Sequence, residues 1–304
     1  MASTPIVPST IKNKIKREQV YNRQKKQKAA LDKEMRMERR KQERADPELR
    51  KQRQTENIPS TLENTREADE TVITEPDNEV AEDETTDEFA SYYNGAAPKI
   101  VVTTSPHASR PTFEFAHELV TIFPNAEFVR RGAKFDIAQI VEFCKNRGYT
   151  DLIVINEDKK MPNALTICHL PEGPTAHFKL TSIRSGKDIR GHGRASAHKP
   201  ELILNNLHTR LGHTVGRMFS ALFPQVPEFQ GRQACTLHNQ RDFIFFRRHR
   251  YVFQNAKRVN LQEIGPRFTL KLRWLQKGTF NTQSGEYEWV FKPELETSRR
   301  RFFL

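Results

Sequence analysis

Residues 173–180, GPTAHFKL, match residues 265–272, GPRFTLKL, at four of eight positions, where Gly, Pro, Lys and Leu recur in the same places. Each segment also follows a predicted helix that ends in Phe-Pro, at residues 123–124 and 223–224. An eight-residue match can arise by chance, so the two segments alone do not establish a repeat. Because the order of elements around them also matches, we expect a domain built from two copies of one plan.

The sequence before the first matching segment alternates strand and helix patterns. A buried-strand run, KIVVTT, begins at Lys99 and leads into an amphipathic helix that has Pro111 in its first turn and stops before Pro124. Asp136, with Gln139 three residues on, is typical of the start of a second helix. The runs TDLIVIN, ALTICHL and TAHFKLTSI that follow are typical of strands. This order predicts an α/β fold with an added antiparallel pair of strands.

The second half is predicted to open with a long helix from Pro200. Its apolar residues step by three and four positions from residue 204 to residue 222, which is the spacing of one helix face. These residues are Leu204, Leu207, Leu211, Val215, Met218 and Leu222. The strand-like runs RQACTLH, DFIFFR, RYVFQ, RFTLKLRWL and EYEWVF follow.

The charge is uneven along the 304 residues of the chain. Residues 1–60 hold 17 basic and 8 acidic side chains, residues 61–98 hold 1 and 12, and residues 99–304 hold 32 and 18. The formal net charge is +12, and hydrophobic residues make up only 36% of the chain, so part of it must lie outside any core. A basic folded region favours an acidic polymer such as nucleic acid as the partner.

The first 98 residues are predicted to form three segments without a core of their own. Residues 1–57 are a basic extension, helical or disordered, whose clusters KNKIKR and RQKKQK are typical of a nuclear-localisation signal or a phosphate-binding arm. Residues 58–66 are a candidate docking motif for a protein partner, with an ordinary linker as the alternative. Residues 67–98 are predicted to be a flexible acidic linker. The candidate docking residues are Ile58, Pro59, Leu62, Asn64 and Arg66.

Several functional classes are disfavoured by the sequence. No apolar run of about 18 residues is present, and residues 1–10 lack the apolar stretch of a secretory signal, so we expect an intracellular protein with no membrane partner. The chain has no GxxxxGK[ST] phosphate loop, no GxSxG elbow and no HExxH metal motif. Cys144, Cys168 and Cys235 lie far apart in apolar surroundings and are predicted to be buried thiols. We therefore expect no enzymatic activity, no metal and no cofactor.

One predicted strand carries a basic stripe. From Arg267 to Trp274 polar and apolar residues alternate, and successive side chains of a strand point to opposite faces. One face is predicted to hold Arg267, Thr269, Lys271 and Arg273, and the core face to hold Phe268, Leu270, Leu272 and Trp274. The corresponding outward residues of the first half, Thr175, His177, Lys179 and Thr181, carry one firm charge. The second half is therefore predicted to hold the polyanion contact, with a solvated face that binds nothing as the alternative.

Two further basic segments are candidate RNA contacts. Arg247, Arg248 and Arg250 lie between the aromatic runs FIFF and YVF, and they are predicted to form an arginine-rich turn on an aromatic sheet. Arg194 lies in the loop 191–198, where two glycines allow an anion to approach the backbone. The predicted RNA-binding residues are Arg194, Arg247, Arg248, Arg250, Arg267, Lys271 and Arg273.

Several longer motifs resemble one known family, the Brix domain of eukaryotic ribosome-assembly factors. The resemblance runs from Lys99 to Leu304 and is closest in FPNAEFVRRG, YTDLIVINEDKK, HLPEGPTAHFKL, PELILNNLHTRLGHTVGRMFSALFP, GRQACTLHNQRDFIFFRRHRYVF and EIGPRFTLKLRWLQKGTF. The upstream segment IPSTLENTREAD and the terminal segment GEYEWVFKPELETSRRRFFL are similar to one branch of that family.

The resemblance implies an α/β domain of two similar halves, residues 99–190 and 191–291, followed by a C-terminal tail at 292–304. Each half would be related to the anticodon-binding module of class II aminoacyl-tRNA synthetases. The implied function is that of a non-enzymatic factor of the nucleus and nucleolus that binds precursor ribosomal RNA during maturation of the large (60S) subunit. Its expected partners are that RNA, other pre-60S assembly factors and a dedicated protein. Two alternatives stay open, namely a small-subunit processome factor with the same domain and a protein-only assembly scaffold.

Overall fold

The chain divides into two units, residues 1–65 and 66–304. The structure is a computed structural model that describes residues 12–62, 64–67, 69–73, 78–93, 95–226, 228–256, 258–281, 284–298 and 300–304.

The first unit is built from two helices, α1 (Lys14–Ala45) and α2 (Pro47–Glu56). The side chain of Asn13 caps α1 by accepting from the N–H groups of Ile15 and Lys16, and that of Asp46 caps α2 in the same way. Neither helix has a buried residue. The basic extension is predicted to be helical or disordered, and the structure shows helices over these ranges. Helix-forming residues and N-caps stabilise them, and no buried core contributes.

The described residues of the second unit form one mixed sheet of eleven strands. The strands are β1 (Ile100–Thr104), β2 (Ala126–Phe128), β3 (Asp151–Asp158), β4 (Met161–His169), β5 (Thr175–Arg184), β6 (Glu201–Asn205), β7 (Gln233–Gln240), β8 (Phe243–Asn255), β9 (Arg258–Glu263), β10 (Arg267–Gln276) and β11 (Tyr287–Val290). Their order is β2-β1-β3-β4-β5-β10-β8-β7-β6, with β9 paired to β8 and β11 paired to β10. The pairs β1–β2, β1–β3 and β6–β7 are parallel and the others are antiparallel. The predicted α/β class is confirmed.

In the described part of this unit five α-helices accompany the sheet, namely α3 (Asn78–Thr86), α4 (Ala90–Tyr93), α5 (Arg110–Ile122), α6 (Ile137–Asn146) and α7 (Arg210–Ala221). Helices α5 and α7 pack on one face of the sheet, which we call the inner face, and contribute Leu119 and Met218 to the main core. Helix α6 packs on the opposite, outer face through Val141 and Cys144 against the first half. In the described part of the second half no helix covers the outer face, where Ile203 and Phe243 stay exposed.

The strand order supports the predicted repeat. The first half runs β1-α5-β3-β4-β5 and the second runs β6-α7-β7-β8-β10, with β2 and α6 added to the first and β9 and β11 to the second. In each half a parallel pair is joined through a helix and is followed by antiparallel strands. Strands β5 and β10 pair at the centre of the sheet, so the two matching segments of sequence occupy equivalent positions.

The repeated glycine has a steric reason in both halves. Gly173 and Gly265 precede β5 and β10 with φ of 116° and 85°, values that favour glycine. A Cβ atom on Gly173 would lie 2.6 Å from the backbone carbon of Gly278, beyond β10, and one on Gly265 would lie 2.6 Å from the Cα of Gly186, beyond β5. Each glycine therefore lets the start of one central strand pass the end of the other.

The helix predicted from Pro200 begins ten residues later. Residues 201–205 form β6, which pairs in parallel with β7, and the helix starts at Arg210 behind the cap Thr209. Leu204 has the sequence spacing of the helix face but is not in the helix. It lies on the edge strand β6, where 37% of its surface is exposed. Pairing with β7, which is distant in sequence, overrides the local pattern.

Part of the predicted flexible linker at 67–98 is folded into the second unit. Phe89 and Tyr92 are 2% and 5% exposed and belong to the main core. Arg217 of α7 donates two hydrogen bonds to the carboxylate of Asp87, one of them 2.7 Å long. The linker prediction is wrong for this stretch. Its acidic composition is typical of a flexible segment, but Phe89 and Tyr92 pack in the core and Asp87 forms an ion pair with Arg217.

The described end of the chain is also part of the core. Phe302 and Leu304 are 6% and 1% exposed. One carboxylate oxygen of Asp242 accepts hydrogen bonds from the N–H groups of Phe303 at 2.7 Å and Leu304 at 2.9 Å. The predicted tail at 292–304 therefore ends in an anchored segment, residues 300–304, which we call the C-terminal anchor.

Candidate nucleic-acid interface

Basic side chains form rows across three neighbouring strands of the outer face. Lys179 on β5 lies opposite Lys271 on β10, and Lys271 lies opposite Phe243 on β8. Arg184 lies opposite Arg267 in the same way. Neighbouring strands are about 4.8 Å apart, so these rows place several cations close together on one surface. We call this surface the basic face, and its members are Lys179, Arg184, Arg247, Arg267, Lys271, Arg273 and the ring of Phe243.

One carboxylate organises the arginine end of the basic face. The guanidinium of Arg267 donates two hydrogen bonds of 2.5 Å to Glu263. Burial alone would raise the pKa of Glu263, but its hydrogen bonds and charge interaction with Arg267 hold that pKa below the usual value. Arg247 interacts electrostatically with both Glu263 and Arg267, and burial lowers its pKa. Arg184 lies opposite Arg267 on β5, so this end holds three arginines and one carboxylate and is positive.

The lysine end is partly covered by the chain itself. The Nζ atom of Lys271 lies 2.7 Å from a carboxylate oxygen of Glu296, 4.4 Å from the ring centroid of Phe291 and 5.0 Å from that of Phe243. The guanidinium of Arg273 lies 4.8 Å from the same Phe291 ring. These contacts fix the orientation of both cations. The side chain of Lys271 is 15% exposed and that of Glu296 is half exposed, so a phosphate would have to displace a solvent-accessible carboxylate to reach Lys271.

The alternation predicted for β10 holds for its first six residues and then fails. Phe268, Leu270 and Leu272 are all buried, as predicted. A β-bulge between Leu272 and Trp274 shifts the register and places Trp274 opposite His177, whose ring it stacks on at 5.1 Å between centroids. Trp274 therefore points to the outer face and not to the core, because a bulge adds one residue to the strand.

The arginine cluster of β8 is not a turn, because residues 247–250 lie inside a continuous strand of 13 residues. Successive side chains therefore alternate, and Arg248 is 1% exposed. Its guanidinium donates to the side-chain oxygen of Gln233 at 2.8 Å and to the hydroxyl of Thr121 at 3.2 Å, and burial lowers its pKa. The assignment of Arg248 to an RNA contact is wrong for this fold. Arg250 shares its side of the strand, so of the predicted cluster only Arg247 lies on the basic face.

Arg194 is exposed in a loop that touches the same end of the sheet. The N–H of Gly193 donates to the backbone oxygen of Glu263 at 2.7 Å, and Glu263 is the partner of Arg267. This hydrogen bond holds the loop beside the arginine end of the basic face. The role of Arg194 as an RNA contact stays a prediction.

Sequence reasoning left Lys179 and Arg184 out of the candidate site. Both are exposed on β5, opposite Lys271 and Arg267 of β10. The signal that could have found them is the repeat itself, because the two matching strands are neighbours in the sheet. Their outward side chains therefore form one surface rather than two.

The candidate docking residues split between the two units. In the first unit Ile58 is 72% exposed, and the side-chain amide of Asn64 donates to the backbone oxygen of Pro59 at 3.0 Å, while Leu62 is half-buried. In the second unit Arg66 donates to the backbone oxygens of Phe302 at 3.2 Å and Leu304 at 3.4 Å. Arg66 is therefore engaged by the C-terminal anchor, which corrects its assignment to a partner. The roles of Ile58, Pro59, Leu62 and Asn64 stay predictions.

The described residues offer little for catalysis or metal binding. Cys144, Cys168 and Cys235 are buried, as predicted, and burial raises the pKa of Cys235 to about 12, so that thiol is a poor nucleophile. Across the described ranges no group of three His, Cys, Asp or Glu side chains is placed to hold a metal ion. Within the same ranges no helix combines the length and the apolar character needed to cross a membrane.

Comparison with known proteins identifies the family. The family model for the Brix domain matches residues 105–274. Ribosome production factor 1 of Pongo abelii is 50% identical over 304 residues, covering 97% of this chain and 84% of that protein, and its Saccharomyces cerevisiae counterpart is 49% identical over 297 residues, covering 97% of each. A crystal structure of a probable ribosomal biogenesis protein from Aeropyrum pernix K1 aligns with 64% of this chain and 100% of its own at 15% identity and a TM-score of 0.45. By the match over residues 105–274 and the identity to full-length relatives, the chain belongs to the Brix domain family.

Proposed function

We propose that this chain is a non-enzymatic ribosome biogenesis factor that binds precursor ribosomal RNA through the basic face and supports maturation of the large (60S) subunit. Family membership and relatives named ribosome production factor 1 support the role in ribosome biogenesis. The observation that carries the RNA-binding step is the alignment of cations on β5, β10 and β8 over a part of the sheet face that no described α-helix covers.

The chemistry of the basic face suits single-stranded RNA. Lysine and arginine bind phosphates, and arginine forks can make two hydrogen bonds to one phosphate. The ring of Phe243 is 38% exposed beside Lys271, where an unstacked base could lie on it. We propose Lys179, Arg184, Arg194, Arg247, Arg267, Lys271 and Arg273 as the contact residues.

Charge reversal on β10 tests the basic face. The double change Lys271→Glu with Arg273→Glu is expected to weaken binding of a single-stranded RNA by at least about tenfold. The slope of log affinity against log salt is expected to fall by about 1.4, at about 0.7 per single-strand phosphate contact. Fluorescence anisotropy across a salt series measures both.

The matched control reverses two lysines elsewhere. Lys159→Glu with Lys160→Glu makes the same change of charge in the exposed turn between β3 and β4, and the salt slope is expected to stay as in the unchanged protein. Equal loss of affinity in both double variants would show that only net charge matters, and unchanged binding after the β10 change would rule out the basic face.

The role in large-subunit maturation has its own test. We propose that the chain works in the nucleus and nucleolus with other pre-60S assembly factors and a dedicated protein partner. On sucrose gradients of nuclear extract it is expected to sediment with precursors of the large subunit. Sedimentation with small-subunit precursors would favour a processome factor, and ribosome association that survives the β10 charge reversal and RNase would favour a protein-only scaffold. The likeness of each half to an anticodon-binding module stays a prediction.

A further inference from the structure

Strand β9 is an exposed edge that the basic face does not explain. Among the described strands it pairs only with β8. Five of its six residues are exposed, including Val259 at 42% and Leu261 at 64%. Natural proteins usually protect such an edge with charges, prolines or a covering segment, because an open apolar edge can pair with another chain.

The backbone of β9 offers hydrogen-bonding groups to that open side. The N–H of Ile264 donates to the backbone oxygen of Arg248 at 2.8 Å, and the antiparallel register then places the hydrogen-bonded pairs of β9 at its even positions. The N–H and C=O groups of Val259 and Leu261 therefore point away from β8. The backbone oxygen of Glu263 confirms this direction, because it accepts from the N–H of Gly193. No described residue takes up the outward groups of Val259 and Leu261.

An apolar patch lies directly beside these groups. Val259 lies opposite Phe253 and Leu261 lies opposite Tyr251, in the type of pair that brings side chains closest together. Phe253 is 64% exposed, and its ring lies 5.5 Å from that of Tyr251. We call Tyr251, Phe253, Val259 and Leu261 the hairpin patch. A strand added to β9 would place every second side chain against it.

The charges around the hairpin patch indicate the kind of strand that fits. Arg258 begins β9, the strand that an added segment would pair with, and is exposed. The carboxylate at the patch belongs to Glu201, which accepts a hydrogen bond from the hydroxyl of Tyr251. The rim therefore favours acidic residues in the incoming strand. The outward N–H and C=O groups of β9 favour a protein over RNA, because a second main chain in an extended conformation can pair with them along the strand.

We propose that β9 accepts an extended segment of another protein as an additional strand, with apolar side chains on the hairpin patch and acidic side chains toward Arg258. The main chain would supply affinity and the patch would supply selectivity, as in other cases of strand addition. This protein-docking site uses other residues than the proposed RNA contact, although the hairpin patch lies further along the same face of β8 as Phe243 and Arg247.

A synthetic peptide tests the proposal on the full chain. The probe is a fluorescein-labelled peptide of eight residues in which Glu and Val alternate, and anisotropy is expected to show saturable binding. Leu261→Pro is expected to weaken binding by at least about tenfold. Proline removes the outward N–H of residue 261 and places its ring in the path of the added strand, while the hydrogen bonds between β9 and β8 stay in place.

Two further variants separate docking from misfolding. Phe253→Ser keeps the backbone and removes part of the patch, so it is also expected to weaken binding. Val252→Lys changes an exposed side chain on the opposite face of the same hairpin, and it is expected to leave binding unchanged. A thermal melt of each variant, followed by tryptophan fluorescence, shows whether the second unit is folded.

Three results would overturn the proposal. They are absence of peptide binding, equal binding of a peptide with the four Glu grouped before the four Val, and unchanged binding after both Leu261→Pro and Phe253→Ser. If those two variants instead lose affinity for a uridine oligonucleotide, the patch belongs to the RNA surface. Failure of the proposed RNA-binding function gives a different result. In that case Lys271→Glu with Arg273→Glu leaves RNA binding unchanged, independently of whether the peptide binds to β9.

Discussion

Replacing Leu304 by alanine is expected to lower the free energy of unfolding of the second unit by about 2–5 kcal/mol, the usual cost of this change in a core. Leu304 is 1% exposed within the main core. Its backbone also carries the anchor, because its oxygen accepts from the side-chain amide of Asn239 at 3.1 Å and its N–H donates to Asp242. A Cβ atom on Gly212 would lie 2.9 Å from the carbonyl carbon of Leu304, so α7 passes close to this residue.

Urea denaturation followed by tryptophan fluorescence measures this effect in the full chain. Both tryptophans, Trp274 and Trp289, lie in the second unit, and the ring of Trp289 is 5.7 Å from that of Phe303 in the C-terminal anchor. The matched control is Leu261→Ala, which removes the same atoms from an exposed site and is expected to cost no more than about 0.5 kcal/mol. Equal costs for the two leucines would mean that the anchor is not seated in the core in solution.

The fold class could be predicted from the sequence because it depends on local periodicity. The capping pair at Asp136 and Gln139 is present at the start of α6, and the helical spacing after Arg210 describes α7. The errors arise where a distant partner decides the structure. Residues 201–205 became a strand through pairing with β7, and the acidic stretch at 87–92 became ordered through contacts with α7 and the core.

The candidate site shows the same division between local and distant information. Alternation on β10 correctly separated Lys271 from the core, because the period of a strand is two residues. The bulge before Trp274 and the cross-strand neighbours Lys179 and Arg184 depend on how β5 and β10 pair, which no single strand reveals. A basic run in a sequence predicts solvent-exposed arginines, but Arg248 is 1% exposed because alternate side chains of β8 point into the core.

Arg248→Ala is expected to destabilise the second unit by about 3 kcal/mol and to leave the RNA affinity of the folded protein unchanged. Gln233 is 1% exposed, and its side-chain oxygen accepts two hydrogen bonds from Arg248, at 2.8 and 3.2 Å. Removing the donors leaves a buried acceptor without a partner, at about 1–3 kcal/mol, and the packing of the aliphatic stem is lost as well.

For the neighbouring residue, Arg247, we expect the opposite effects on stability and on RNA affinity. Arg247 lies on the same strand but points to the basic face, so Arg247→Ala is expected to cost less than about 1 kcal/mol in stability and to weaken RNA binding several-fold. Urea denaturation and RNA anisotropy on the two variants are expected to give a crossed pattern, because Arg248 packs inside the sheet and Arg247 lies on the proposed RNA surface. If Arg248→Ala lowers RNA affinity without lowering stability, Arg248 is exposed in solution, and the alternation of β8 that defines the basic face is wrong.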